Sequence, residues 1–442
     1  MDNRRKFLRV AASAWPAGAA FLQGSVEPAA PEDLEVYMEG KLCKVRGQLS
    51  GKVVFSAPSA DETIQRAVDS FASLGGEVLL HRGRFELNRQ INLAAGITLR
   101  GKGPATSLWV GKEHDTGVAV FAGGVHDVAV ADLSITSAGT QPSSGVVFDS
   151  VGTSLVRDVL CVDLSEYGIW IRNTSFLCEV RGCKVGGAGK SGIFLDHLAR
   201  GGRDRKVLRG NLFPNLVTNC VVYGGGVGIE TNRAIVANLV ACEAFQTGGP
   251  GFHVHDSSNS VLISGCRTFQ IQDDAVRIED SNEINISSNI FCWHLGHGIV
   301  LKNVVWGTIV GNEVIDTGSL NRDVPANQLP SSLTLMNGIY LAGTIGVGVT
   351  GNTLFNWPVA PPMQHAILED ASCQNSLIVA NNINFARAGV QSLGRGSQTA
   401  NNVAYLPEAY NPYHSKADVP LQTFDPKLIQ QFLERQRGNR SI

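Results

Sequence analysis

Gly251-Phe252-His253-Val254-His255, Ala275-Val276-Arg277-Ile278-Glu279 and Gly298-Ile299-Val300-Leu301-Lys302 write one pattern three times, at steps of 24 and 23 residues. A small residue opens each segment, and apolar residues then occupy every second place. Period two is the signature of a strand, not of a helix. The small–apolar pair recurs upstream at Gly145-Val146, Gly168-Ile169, Gly192-Ile193 and Gly228-Ile229. Downstream it recurs at Gly338-Ile339, Ala366-Ile367 and Gly389-Val390. A second marker, mostly eight or nine residues earlier, reads Cys183, Cys220, Cys242, Cys266, Asn289, Asn312, Asn352 and Asn381. Both markers lengthen at the same two places, so the register is not a coincidence of common residues. Short strands in units of about 23 residues predict an all-β solenoid of parallel strands, each turn stacked about 4.8 Å above the last. A propeller needs about 40 to 45 residues per blade, and the leucine-rich consensus is absent.

Composition agrees. The 442 residues include 49 Gly, and only 17% are charged. A hydrophobic content of 43% is enough for a core and argues against disorder. Thirty-seven Lys and Arg against 39 Asp and Glu leave no basic surplus for phosphates, which argues against a nucleic-acid partner. No apolar run reaches the roughly 18 residues of a membrane span. The Cys and Asn of the second marker share one corner and are expected to stack as a ladder, the cysteines as small hydrophobes. Nine cysteines without a Cys-x-x-Cys pair suggest neither a disulfide framework nor a zinc knuckle.

Four regions are expected. Residues 1–30 read as an export signal of the twin-arginine type: Arg4-Arg5-Lys6-Phe7-Leu8, then an uncharged stretch from Val10 to Leu22. The protein is accordingly expected in the periplasm or secreted. Residues 31–54 are read as an N-terminal strap, 55–404 as the solenoid, and 405–442 as a C-terminal strap and helix. Ala60 to Ser73 is expected to be an amphipathic capping helix with Asp61 as its N-cap and Gly75-Gly76 as its end. A cap is needed because an open rung would pair with another chain.

Asp61-x-Thr63-Ile64-Gln65-x-Ala67-Val68-Asp69, Gly75-Gly76-x-Val78, Gly83-x-Phe85 and Gly96-Ile97-x-Leu99-x-Gly101-x-Gly103 resemble the entry segment of the pectate-lyase-like superfamily. That resemblance implies a right-handed parallel β-helix acting on polysaccharides. Gln272-Asp273-Asp274-Ala275-Val276 and Gly296-His297-Gly298-Ile299 are similar to two motifs of the polygalacturonases, glycoside hydrolase family 28. The likeness implies Asp273, Asp274 and His297 as catalytic residues on adjacent rungs. Where that family carries a further aspartate, this chain has Gly248-Gly249-Pro250, and its later Arg-x-Lys has no counterpart near Tyr340.

If the Ile and Val of each strand point inward, the residues between them form outer columns. One runs Trp170, Phe194, Glu230, His253, Arg277, Val300, Tyr340; the next runs Arg172, Asp196, Asn232, His255, Glu279, Lys302. Glycoside hydrolysis needs two carboxylates about 5 to 9.5 Å apart, and Asp273 or Asp274 with Glu279 or Glu230 are the candidate pairs. A uronate lyase or epimerase needs instead cations and a base: Arg277 and Lys302, with His253 or His297. His255 and Tyr340 complete the candidate substrate contacts. A third alternative is a non-catalytic glycan-binding or envelope protein. A ladder of alternating charge would also suit the outer face of a solenoid with no chemistry attached. His253-x-His255 has metal-ligand spacing, but no third ligand is evident, so no metal is assigned and no cofactor is expected, calcium excepted if the chemistry is elimination. Insertions near Ala199 to Asn211 and Asp316 to Ser332 are expected to wall a groove over the same face. The expected partner is an anionic polysaccharide, and the expected assembly is a monomer or a trimer.

Overall fold

The computed structural model describes residues 32–139, 142–197, 214–318, 336–356, 363–384 and 386–405. Within them the chain winds as a parallel β-helix with three faces, as the period-two pattern predicts. The first sheet has 16 strands, the second 13 and the third 12. One turn runs from Asn282–Ser287 in the first sheet to Ile290–His294 in the second and Ile299–Lys302 in the third. Ile169, Ile193, Ile229, Phe252, Val276, Ile299 and Ile339 stack in register inside the third sheet, and all are fully buried.

The corner between the first and second sheets explains the second marker. A residue with positive φ makes the bend: Gly182, Asn219, Ala241, Gly265, Ser288, Gly311, Gly351 and Ala380, each within a few degrees of +60°. The ladder residue follows it. Asn312 Nδ2 donates to Ile286 O at 2.9 Å, and its Oδ1 accepts both N–H and Nδ2 of Asn289 at 3.0 and 2.8 Å. Asn352, Asn381 and Asn402 repeat the arrangement. The cysteines imitate it more weakly. Cys266 Sγ points to Leu239 O at 3.4 Å and accepts the N–H of Cys242 at 3.4 Å. All nine cysteines are buried and none forms a disulfide; Cys183, Cys220, Cys242 and Cys266 take the corner position.

The N-terminal end departs from expectation in detail. Residues read as a strap form three antiparallel strands, Leu34–Glu39, Leu42–Gly47 and Val53–Ala57, which begin the first sheet. The capping helix α1 is shorter than expected, Ala60–Asp69. Its N-cap is Ser59, not Asp61, because Ser59 Oγ accepts the N–H of Glu62 at 3.3 Å. Asp61 lies inside the helix, buried, and turns toward Arg89 and the N–H of Asn88. Ile64, Ala67 and Val68 close the first rung, so the capping role itself is as expected. The expected signal and C-terminal helix lie outside the described residues. So do the two insertions, apart from residues 316–318.

His294 hangs inward from the second sheet and is fully buried. Its Nε2 meets Thr317 Oγ1 at 3.0 Å, while Nδ1 has no partner. Burial pushes its pKa down to about 3. Below about pH 6.5 an unfolded histidine takes a proton that this one refuses. Stability is therefore undiminished above that pH and falls as pH drops toward about 3, by ~4 kcal/mol at the low end. His294→Leu is expected to flatten this pH dependence by about one proton, read from urea unfolding at a series of pH values. An unchanged slope would contradict the buried, neutral imidazole.

Candidate functional site

The outer columns form as the alternation predicts. Trp170, Phe194, Glu230, His253, Arg277, Val300 and Tyr340 are successive neighbours across the third sheet. At about 4.8 Å per rung, this column spans roughly 29 Å along the coil. Beside it run Arg172, Asp196, Asn232 and His255, then Glu279 paired with Lys302.

Both imidazoles reach across columns, while Lys302 follows its own. His255 Nε2 lies 2.9 Å from Glu230 Oε1, one rung back. His253 Nε2 lies 3.5 Å from Glu279 Oε2, one rung on. Lys302 Nζ donates to Glu279 Oε1 at 3.2 Å. The two imidazoles stack with centroids 4.4 Å apart. Glu230 Oε2 also accepts a short hydrogen bond from Ser191 Oγ. Glu230, His255, His253, Glu279 and Lys302 are thus one connected network, half-buried, from residues up to 72 positions apart in sequence.

The environment sorts these groups. Burial works to raise the pKa of Glu230, but hydrogen bonds from His255 and Ser191 outweigh it and hold the carboxylate ionised. Glu279 is likewise held below the usual range, burial being overcome by Lys302. Burial and the neighbouring His255 push His253 down, which keeps it neutral. His255 is pushed up, because Glu230 more than offsets its burial. Asp196 moves the other way from the glutamates: burial, together with the charge of Glu230, raises its pKa.

A second group adjoins the first. Arg277 Nε and Nη2 donate to Asp274 Oδ2 at 2.8 and 2.7 Å, and Nη2 also makes a short contact to Asp273. Asp274 is 4% exposed, and its Oδ1 accepts the N–H of His297 at 2.7 Å. His297 Nδ1 accepts the N–H of Asn337 at 2.8 Å, so that nitrogen carries no proton. Burial lowers the pKa of His297. Tyr340 rests against its ring, with centroids 5.3 Å apart. The expected neighbourhood of Asp273, Asp274 and His297 is therefore present. Its bonds lock it together: both carboxylates serve Arg277, which contacts neither Glu230 nor Glu279.

The start of the column is aromatic. Tyr167 packs on Trp170 at 4.6 Å and on Phe194 at 5.4 Å between centroids. Lys190 and Arg172 lie over the Tyr167 and Trp170 rings. Trp293 and Trp306 do not join these rings, being on the second and first sheets. Trp293 is tied to Asp316 by its Nε1 at 2.9 Å. Asp196, Ser191 and Tyr167 were missed as site residues. Asp196 was already in the second column, and its polar neighbours Asn232 and His255 were the available signal.

Among the described residues, Glu230, His253 and His255 are the group of His, Cys, Asp and Glu side chains placed to hold a metal ion, with ligand atoms all within 4.8 Å of one another. Glu230 stands where the third donor missing from the His253-x-His255 spacing would be. No described helix is long and apolar enough to cross a membrane.

Comparison with known proteins places the fold. A family model described as "Right handed beta helix region" matches residues 167–354. No curated protein sequence matches. Among solved structures, the A-module of Azotobacter vinelandii mannuronan C-5 epimerase AlgE6 aligns with a TM-score of 0.65 at 16% identity, covering 79% of this chain and 96% of that one. The AlgE4 A-module gives 0.63 at 15%, covering 77% and 96%. The tailspike of E. coli bacteriophage HK620, solved with a pentasaccharide, gives 0.51 at 13%, covering 81% and 78%. At such identities the likeness is one of architecture: the protein is a right-handed parallel β-helix.

Proposed function

We propose that this chain is a carbohydrate-active protein that draws an acidic polysaccharide along the outer face of its third sheet and moves a proton beside a sugar carboxylate, by elimination or epimerisation. The observation that carries this reading is continuity. The platform of Tyr167, Trp170 and Phe194 leads, rung by rung, into Glu230, His253, His255, Glu279 and Lys302. Aromatic faces suit the apolar faces of sugar rings, and a proton acceptor next to cations suits a reaction that builds charge on a carboxylate. Glu279, held ionised and joined to neutral His253, is the proton acceptor in this reading, and Lys302 is the cation. The kinship of fold with modules named as mannuronan C-5 epimerases supports it. Export from the cytoplasm is part of the proposal, supported by Arg4-Arg5 and the uncharged stretch from Val10 to Leu22.

Hydrolysis through Asp273 and Asp274 is less well served, since Arg277 and the His297 N–H take both oxygens of Asp274 and Arg277 also takes Oδ1 of Asp273. One observation favours a different hydrolytic pair: Asp196 is pushed up while Glu230 is pulled down, the split that an acid and its ionised partner require. Incubation with a panel of uronic-acid polysaccharides separates the readings. Unsaturated products by ultraviolet absorbance indicate elimination, and a changed C-5 configuration by proton NMR indicates epimerisation. New reducing ends without unsaturation would overturn the proposal in favour of Asp196 and Glu230. Glu279→Gln is expected to lower kcat about 100-fold or more with little change in KM; retained activity would remove Glu279 from the chemistry.

A further inference from the structure

We propose that Glu230, His253 and His255 form a binding site for a first-row divalent ion of the zinc type, with an open coordination position on the glycan-bearing face. Two imidazoles and one carboxylate are a donor set that suits zinc and its neighbours; calcium prefers oxygen donors alone. The strand Phe252–His255 presents both histidines on one side, because residues two apart on a strand share a face, and the rung below supplies Glu230.

Four features beyond the donor set point to an ion. First, the donor atoms already lie within 4.8 Å of one another, and tetrahedral coordination at about 2.0 to 2.2 Å asks only for closure by about an ångström. Second, the ligands are backed. Asp256 Oδ2 lies 3.3 Å from His255 Nδ1, so that ring nitrogen can carry the proton once an ion replaces the one that Nε2 now directs at Glu230, and Ser191 holds the far oxygen of Glu230. A carboxylate behind a ligating histidine is a recurrent support of metal sites. Third, Asn232, directly below His255 in its column, leaves Oδ1 buried without a hydrogen-bond partner. Fourth, the face is short of positive charge. Asp149, Asp196, Glu230, Asp256, Asp273, Asp274 and Glu279 outnumber Arg172, Arg233, Arg277 and Lys302, and Arg172, Arg277 and Lys302 are already paired with carboxylates. An acidic sugar would meet repulsion there unless a cation joined the site.

Three protein ligands leave at least one position open, the arrangement of sites that act on a substrate. The ion would supply the charge that draws a sugar carboxylate, and Glu279, 3.5 Å from His253, would remain beside it as proton acceptor. That role rests on the proposed function. Ion binding itself is measured without substrate, so the two fail separately.

The test uses tag-free protein stripped with a chelator and titrated with zinc, cobalt and calcium chlorides in turn. Zinc is expected to bind with one equivalent competing against a chromophoric chelator, cobalt to give a visible spectrum of low-symmetry coordination, and calcium not to compete. His253→Ala, His255→Ala and Glu230→Gln should each weaken zinc at least about tenfold, while His126→Ala, at an exposed histidine, should not. Circular dichroism checks that the variants fold. If they do not, anomalous diffraction from zinc-soaked wild-type crystals decides: a peak between the three side chains supports the site. Absence of stoichiometric binding, equal competition by calcium, folded variants that bind like wild type, or a peak elsewhere would each overturn it.

Discussion

Asn312→Leu is expected to cost the fold about 3 to 5 kcal/mol, among the largest effects of any single substitution in the coil. The leucine fills the space but makes none of four bonds. The buried N–H of Asn289 loses its acceptor, Asn289 Nδ2 loses one of two, Ile286 O loses a donor, and Asn352 Oδ1 keeps only one of its own. Each unsatisfied buried group costs about 1 to 3 kcal/mol, which sums to the stated range after partial relaxation. Asn312→Cys should cost about half as much. Cys266 demonstrates the substitute geometry, with its sulfur accepting from Cys242 N and pointing at Leu239 O. Urea unfolding of the two variants measures the difference. Equal stability of the leucine and cysteine forms would mean that the ladder fills space and does no more.

Arg277→Leu is expected to be comparably severe, about 3 to 5 kcal/mol, because it strips the counter-ion from Asp273 and from the nearly buried Asp274. Most of that loss belongs to the stranded carboxylates. In an Asp273→Asn, Asp274→Asn background the same substitution should therefore cost less than about 1 kcal/mol. A double-mutant cycle by chemical denaturation gives the coupling. Additive costs would show that Arg277 is held by something other than these two aspartates. A large coupling would fix Asp273 and Asp274 in a structural role and leave the chemistry of the face to Glu230, His253, His255 and Glu279.

The register of the coil was legible because its two constraints act on single residues. An inward position favours apolar side chains, and a bend at positive φ followed by a buried backbone amide takes Gly, Asn, Ser or Ala and then Cys or Asn. Those constraints recur every turn, so they print a period. The columns of the third sheet followed from that period and hold in register. What the sequence did not disclose is how side chains reach across columns. Glu230 lies beside His253 by register, yet it bonds His255, and Glu279 bonds His253. Long side chains choose partners by rotamer and by local charge, which leave no periodic trace. The same holds for Arg277: its neighbours in the column are His253 and Val300, while Asp273 and Asp274, at the preceding corner, took it. The helix cap moved by two residues for a related reason, since Ser59 and Asp61 compete for one N–H and both reach it.

The functional account turns on where a sugar chain lies. The most direct measurement is the crystal structure of the Glu279→Gln variant with an oligosaccharide that the wild-type protein converts. The account predicts density along the third sheet, with one ring against Trp170 and an acidic group between His253 and Lys302. Density seated on another face, or over Asp273 and Asp274 alone, would contradict it.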